Sequence, residues 1–260
     1  VLGIAGTLTY NNNFDAVTNF PTRIEINGDT SQIIPSGSYI NLVVKNGNTK
    51  TAAGFIKIND TLTVDTLTTF SDGGDTTEVM NTIINRGIFR GSGSAVFLRT
   101  VNITGSGLFD FYNLTIGSGD TLLTDNLSIH SHGNFFNNGK LISTGKFIFD
   151  GSSDQLISGS NFNDFEILGR GTKTVAGNLF IERNVTVNDS VTLNFGSSLH
   201  RLKGNIFNLG TIDSAKILFI GDSLQTIQSG NPITFDKVIV DKNQNNVVLS
   251  SDTRCGFLAA

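Results

Sequence analysis

One six-residue signature recurs along this chain: an aromatic residue, two polar-tolerant positions, then an apolar-x-apolar pair. It appears as Tyr39-Ile40-Asn41-Leu42-Val43-Val44, Phe111-Tyr112-Asn113-Leu114-Thr115-Ile116, Phe162-Asn163-Asp164-Phe165-Glu166-Ile167 and Phe235-Asp236-Lys237-Val238-Ile239-Val240. The spacing of the leading aromatics suggests three, two and three units of about 24 residues, a usual length for a solenoid coil. A second motif, Asn-x-Gly, keeps step at Asn85-Arg86-Gly87, Asn137-Asn138-Gly139 and Asn208-Leu209-Gly210, each Gly preceding the next aromatic by one such unit. A third lies at Gln32-Ile33-Ile34-Pro35-Ser36-Gly37, Gln155-Leu156-Ile157-Ser158-Gly159 and Gln225-Thr226-Ile227-Gln228-Ser229-Gly230. The longest match pairs Thr49-Lys50-Thr51-Ala52-Ala53-Gly54 with Thr172-Lys173-Thr174-Val175-Ala176-Gly177.

The spacing within the signature calls for a coil with corners. Its last two apolar positions are two apart and share one face of a strand. The aromatic sits three before the first of them, the wrong parity for a flat strand, so a bend must intervene to bring all three inward. Asn-x-Gly supplies residues that reach positive φ cheaply, as a sharp corner requires. Leu62-Thr63-Val64, Val185-Thr186-Val187 and Val191-Thr192-Leu193 alternate like half-buried strands.

Of 22 acidic residues only Glu25, Glu78, Glu166 and Glu182 are glutamates. Aspartate favours turns, and no window carries a sustained helical period. The expected fold is therefore all-β with little or no helix: a right-handed parallel β-helix, residues 1–260 forming one solenoid domain with coils of about 24 residues. Handedness follows from the preference of parallel crossovers. Ten or eleven coils at about 4.8 Å give roughly 50 Å of stack. The competing arrangement is an antiparallel sandwich, kept open by Asn27-Gly28, Asn46-Gly47, Asn138-Gly139 and Asp150-Gly151 as hairpin loops.

Several functions find little support. Charged residues make up 15% and the net charge is -4, which disfavours nucleic acid and anionic membrane as partners. No apolar run approaches a membrane span. Cys255 is the only cysteine, so neither an intrachain disulfide nor a cysteine metal site is available. Val1 to Gly6 lacks the basic region of a signal peptide, and neither end carries a polar cap over its strand edges, so the chain reads as mature or as a segment of a longer repetitive protein.

His130 and His132 are two apart and share a strand face, but His200 is too far along the stack to join them at a metal. All three read as ordinary surface histidines, and no cofactor is expected. A solenoid enzyme would need carboxylates on neighbouring coils. Asp164 and Asp236 match in motif position but fall about three coils apart, Asp150 and Asp154 read as turn residues, and Cys255 has no base near it in sequence. Gly91-Ser92-Gly93 and Gly117-Ser118-Gly119-Asp120 lack the strand–helix context of a phosphate loop. No catalytic set emerges. Calcium at turn carbonyls would leave no signature. Thr61-Leu62-Thr63 does not recur regularly enough for an ice-binding array, and reads as half-exposed strand threonine.

The units Phe111 to Ile116, Asn134 to Leu141 and Phe149 to Gly159 resemble the repeats of very large secreted surface proteins of Bacteroidetes, over roughly residues 24 to 250. Those proteins are typically exported by the type IX secretion system and often act as adhesins. The resemblance implies an extracellular or outer-surface location, with cell-surface or secretion-machinery proteins as partners and glycans as a further class. It departs from the family in one respect, since Asp252 to Ala260 is too short to be the usual sorting domain. It also implies O-glycosylation at Asp followed by Ser or Thr and then an apolar residue or Thr, with acceptors Thr61, Thr66, Thr76, Thr121, Ser190, Ser214 and Ser223. A turn entering a strand has the same appearance. The resulting expectation is a non-enzymatic structural or adhesin-like protein. Its alternatives are a carbohydrate-active β-helix enzyme of the polysaccharide lyase or hydrolase type, and a carbohydrate-binding module. The last is poorly supplied, with no Trp and only Tyr10, Tyr39 and Tyr112.

Overall fold

The computed structural model describes residues 1–6, 14–15, 22–250 and 253–259; Tyr10, Asp252 and Ala260 lie outside them. The described residues contain no helix and form a parallel β-solenoid of about 12 turns with about 20 residues in each. The strands divide between two compact units, Val1–Ile129 with Asn138–Ile142, and His130–Asn137 with Ser143–Ala260.

In the first unit a turn is three short strands, such as Thr76–Val79, Thr82–Asn85 and Ile88–Arg90. The next turn lays Ser94–Phe97, Thr100–Thr104 and Leu108–Phe111 in parallel over them, with Thr76 paired to Ser94, Thr82 to Asn102 and Ile88 to Leu108. Inward side chains form vertical columns. Leu42, Leu62, Ile83 and Ile103 are successive partners, one from each turn, and all four are fully buried. Phe70, Phe89 and Phe109 make a second column, with the first two ring centroids 5.0 Å apart. Each such side chain contributes about 1.5–3 kcal/mol of burial.

The second unit repeats the plan. Gln155–Ser158, Asn161–Phe162 and Asp164–Ile167 are followed by Gly171–Ala176, Phe180–Ile181 and Val185–Val187, paired through Gln155 with Lys173, Asn161 with Phe180 and Phe165 with Val185. Its core holds Phe135, Phe147, Phe149, Phe162 and Phe165, with Phe162 and Phe165 centred 5.1 Å apart.

The parallel solenoid agrees with the sequence, and the sandwich is excluded because the paired strands run parallel. The coil length is corrected from about 24 to about 20. The cause is that the signature marks a corner, and any of the three corners accepts it. Tyr39 stands at the first corner of its turn, within Gly37–Val44, where the register shifts between Tyr39 and Asn41. Phe111 closes the third strand of a later turn, so the interval from Tyr39 to Phe111 spans about three and two-thirds turns rather than three. Phe162 at a second corner and Phe235 at a first corner are separated by the same fraction. Likewise, Gly87 sits at a second corner and Phe111 at the third corner one turn on, which makes their separation one and one-third turns. The vertical neighbour of Gly87 is Gly107, one residue before the Leu108 that pairs with Ile88, and Leu108 N–H donates to the Gly87 carbonyl at 2.9 Å. The inferred bend is present: Phe111, Leu114 and Ile116 are all buried while Tyr112 is exposed between them.

Candidate functional surfaces

The third sequence motif and the Thr-Lys-Thr match turn out to be two halves of one device. Gln155 is buried, and its side-chain amide donates to the carbonyls of Ser131 and Gly133 in the turn below while its Oε1 accepts from Gly151 N at 3.0 Å. Gln32 does the same with Ile4, Gly6 and Gly28. A Cβ on Gly28 or Gly151 would fall on the carbonyl of Ala5 or His132 in the preceding turn. Asn27-Gly28 and Asp150-Gly151 are therefore not hairpin loops; glycine is needed because two turns touch there.

Directly over each glutamine in register sits a lysine, Lys50 over Gln32 and Lys173 over Gln155. Lys173 Nζ donates to the carbonyls of Gly151, Ser153 and Arg170 at 2.8, 2.6 and 2.8 Å. Lys50 Nζ holds Gly28 and Thr30 at 2.7 and 2.6 Å. Burial pushes the Lys173 ammonium down to about 8, against the pull of Asp154 and Asp150. Gln225 uses a variant, clasping Leu202 and Gly204 below while Lys242 donates to its Oε1.

The histidines are not ordinary surface residues. His130 and His132 are part-buried and grip one carboxylate, His130 Nδ1 lying 2.7 Å from Asp150 Oδ2 and His132 Nδ1 2.8 Å from Asp150 Oδ1. Burial alone would raise Asp150, but the two imidazoles hold it down to about 2. His200 is buried on another strand: Leu179 N donates to its Nδ1 at 3.1 Å, and its Nε2 lies 2.8 Å from the Phe195 carbonyl. Since Nδ1 accepts, Nε2 carries the hydrogen, and the ring is neutral. Burial pushes its pKa down to about 4, opposed by the Phe195 carbonyl. No three or more His, Cys, Asp or Glu side chains among the described residues are arranged to hold a metal ion.

Among the carboxylates singled out in the sequence, Asp154 accepts from Thr172 N at 2.7 Å and serves its turn. Asp236 is exposed at the bulge opposite Ala215 and Lys216. Asp164 begins a ladder that the motifs did not reveal. Asn184 donates to Asp164 Oδ1 from N and Nδ2 at 3.1 and 3.3 Å, Asn205 donates likewise to Asn184 Oδ1 at 3.1 and 3.2 Å, and Thr226 N reaches Asn205 Oδ1 at 2.8 Å. Its sequence trace is an Asp or Asn immediately before an inward apolar residue, in Asp164-Phe165, Asn184-Val185 and Asn205-Ile206. Asn184→Leu strands the Asn205 N–H and is expected to lower stability by about 2 kcal/mol, read by urea unfolding. A loss no larger than that of Asn178→Leu, at an exposed position, would contradict this account of the ladder.

The seven acceptor residues are scattered. Thr66, Ser190 and Ser223 are exposed in turns, whereas Thr61, Thr76 and Thr121 are half-buried strand residues and Ser214 is half-buried. Ser190 and Ser214 have φ of 65° and 51°. Cys255 is exposed, with Sγ 2.9 Å from the Phe257 carbonyl. Comparison with models of known families, with curated proteins and with solved structures finds no match.

Proposed function

We propose that this chain is a non-enzymatic structural stretch of a secreted or cell-surface repeat protein, adhesin-like in its mode of action and exported by a type IX-like route. The observation that carries the reading is where the buried ionisable groups are spent. Lys50, Lys173, His200 and the four-times-bonded carboxylate of Asp72 all hold backbone turns together. The remaining chemistry is spread over outward faces, where an extended surface binds by many weak contacts.

A solenoid enzyme would stack carboxylates on neighbouring turns. Here Glu78 pairs in register with Lys57, Asp110 with Arg90 and Asp164 with Lys146, which supports the structural reading over the carbohydrate-active one. Brief protease treatment of intact native cells tests the location: peptides of this chain should be released before lysis, and their appearance only after lysis would remove the proposal. Glycan attachment belongs to the same reading and falls first on the exposed turn acceptors Thr66, Ser190 and Ser223. Glycopeptide mapping of native protein should find hexose on at least one of the three; three bare sites would remove that part.

A further inference from the structure

Outward positions of a solenoid face need only a residue that tolerates a strand, so a costly choice there asks for a reason. One occurs in the second unit, on the face built from Phe180–Ile181, His200–Leu202, Ala215–Phe219 and Ile233–Val240. Lys216 and Lys237 point outward from neighbouring strands and pair in register, which sets like-charged side chains on strands about 4.8 Å apart along the stack, an arrangement that disfavours folding. Arg201 and Lys203 project from the strand beneath and its end. Only Lys203 finds a carboxylate, Glu182 at 2.8 Å. Lys216 Nζ reaches a backbone carbonyl, that of Ser197 at 3.1 Å. Among the described residues no ion pair is formed by Arg201, Lys216 or Lys237, and Asp236 at the bulge and Asp241 beyond the strand end flank them without pairing.

Aromatic and aliphatic groups alternate with these cations. The Arg201 guanidinium and Lys203 Nζ lie 5.2 and 4.9 Å from the Phe180 ring centroid, and Lys237 Nζ is 5.0 Å from that of Phe257. One outward column runs Phe180, Arg201, Leu218, Ile239. Cations without a carboxylate, set beside flat apolar groups, match a polymer that carries anions and also has C–H faces.

We infer that this face docks an acidic polysaccharide, its carboxylates or sulfates on Arg201, Lys216 and Lys237 and its sugar rings against Phe180, Leu218 and Ile239. The turn-to-turn rise is close to the advance of one sugar in an extended glycan, so two successive anionic groups meet Lys216 and Lys237 in register, and a third reaches Arg201 on the turn beneath, two positions along the strand. A nucleic acid fits less well: three such cations neutralise few phosphates, and the net charge of -4 repels a long polyanion of high charge density. The inference rests on the surface-protein reading for the setting in which such a polymer is met.

The test is binding of polygalacturonate and chondroitin sulfate to the purified chain, with dextran, polyglutamate and duplex DNA as comparators. Either acidic glycan should bind, dextran should not, and Lys216→Gln with Lys237→Gln should weaken binding at least tenfold without lowering the melting temperature, since the neutral pair no longer repels itself. No binding above dextran, equal binding by the double variant, or tighter binding of polyglutamate or DNA would each overturn it. The outcome is separable from the reading of location: cell-surface protease results can fail while the purified chain still binds glycan, and the reverse.

Discussion

Lys173→Met should cost about 4 kcal/mol, because it removes a buried ammonium and leaves three carbonyls without their donor. The residue is fully buried, and Met matches its stem, so packing loss is small and the measured change reports the polar cage. Lys50→Met provides an internal scale. Its ammonium holds two carbonyls rather than three, and the loss should be smaller, about 3 kcal/mol. Guanidinium unfolding followed by far-ultraviolet circular dichroism reads both. A loss below about 1 kcal/mol for Lys173→Met would mean that water replaces the ammonium, and that the lysine is not a structural plug.

Acid should destabilise the protein well above the range where most carboxylates titrate. His200 is neutral when folded, with its pKa pushed down to about 4 from 6.5. Between those values the unfolded chain binds a proton that the folded chain refuses, so stability falls as pH drops from 6.5 to 4 and is insensitive to this group above 6.5. The full loss is about 3 kcal/mol at about 1.4 kcal/mol per unit. Asp150 works in a lower window. Its folded pKa lies at about 2 against 3.8, so its contribution is present above 3.8 and is lost as pH falls toward 2. Urea midpoints measured from pH 7 to 4 should slope downward in the parent and flatten in His200→Gln. An identical slope in that variant would show that the ring is not the titrating group.

The architecture is legible in the sequence because inward apolar residues and corner residues must recur once per strand, and no helical period competes with them. The turn length is not, for a physical reason. Phe111 ends its strand before a bend and Phe235 precedes the register shift within Ile233–Val240, so the chain uses the same solution at corners that face different ways. Intervals between copies therefore count thirds of a turn. The glutamine and lysine motifs are visible, but their meaning is not, since a polar residue in a repeat reads as outward until its carbonyl partners are known. The Asn184 and Asn205 ladder leaves only a single residue before each strand as its trace. His200 differs from His130 by nothing local in sequence; its burial follows from strand parity at a position that Arg201 and Leu202 define together. The basic face requires knowing that Lys216 and Lys237, well separated along the chain, are neighbours.

The interchangeability of corners has a consequence for how such chains lengthen. Recombination between two copies of the signature at unlike corners inserts a fractional number of turns. The apolar interior stays filled because every corner makes the same demand on it. What rotates is the decoration: residues downstream are dealt to a different side of the prism, and charges that were apart are brought into line. A gene of this kind can reshuffle its exterior by gearing alone, with no substitution at any position.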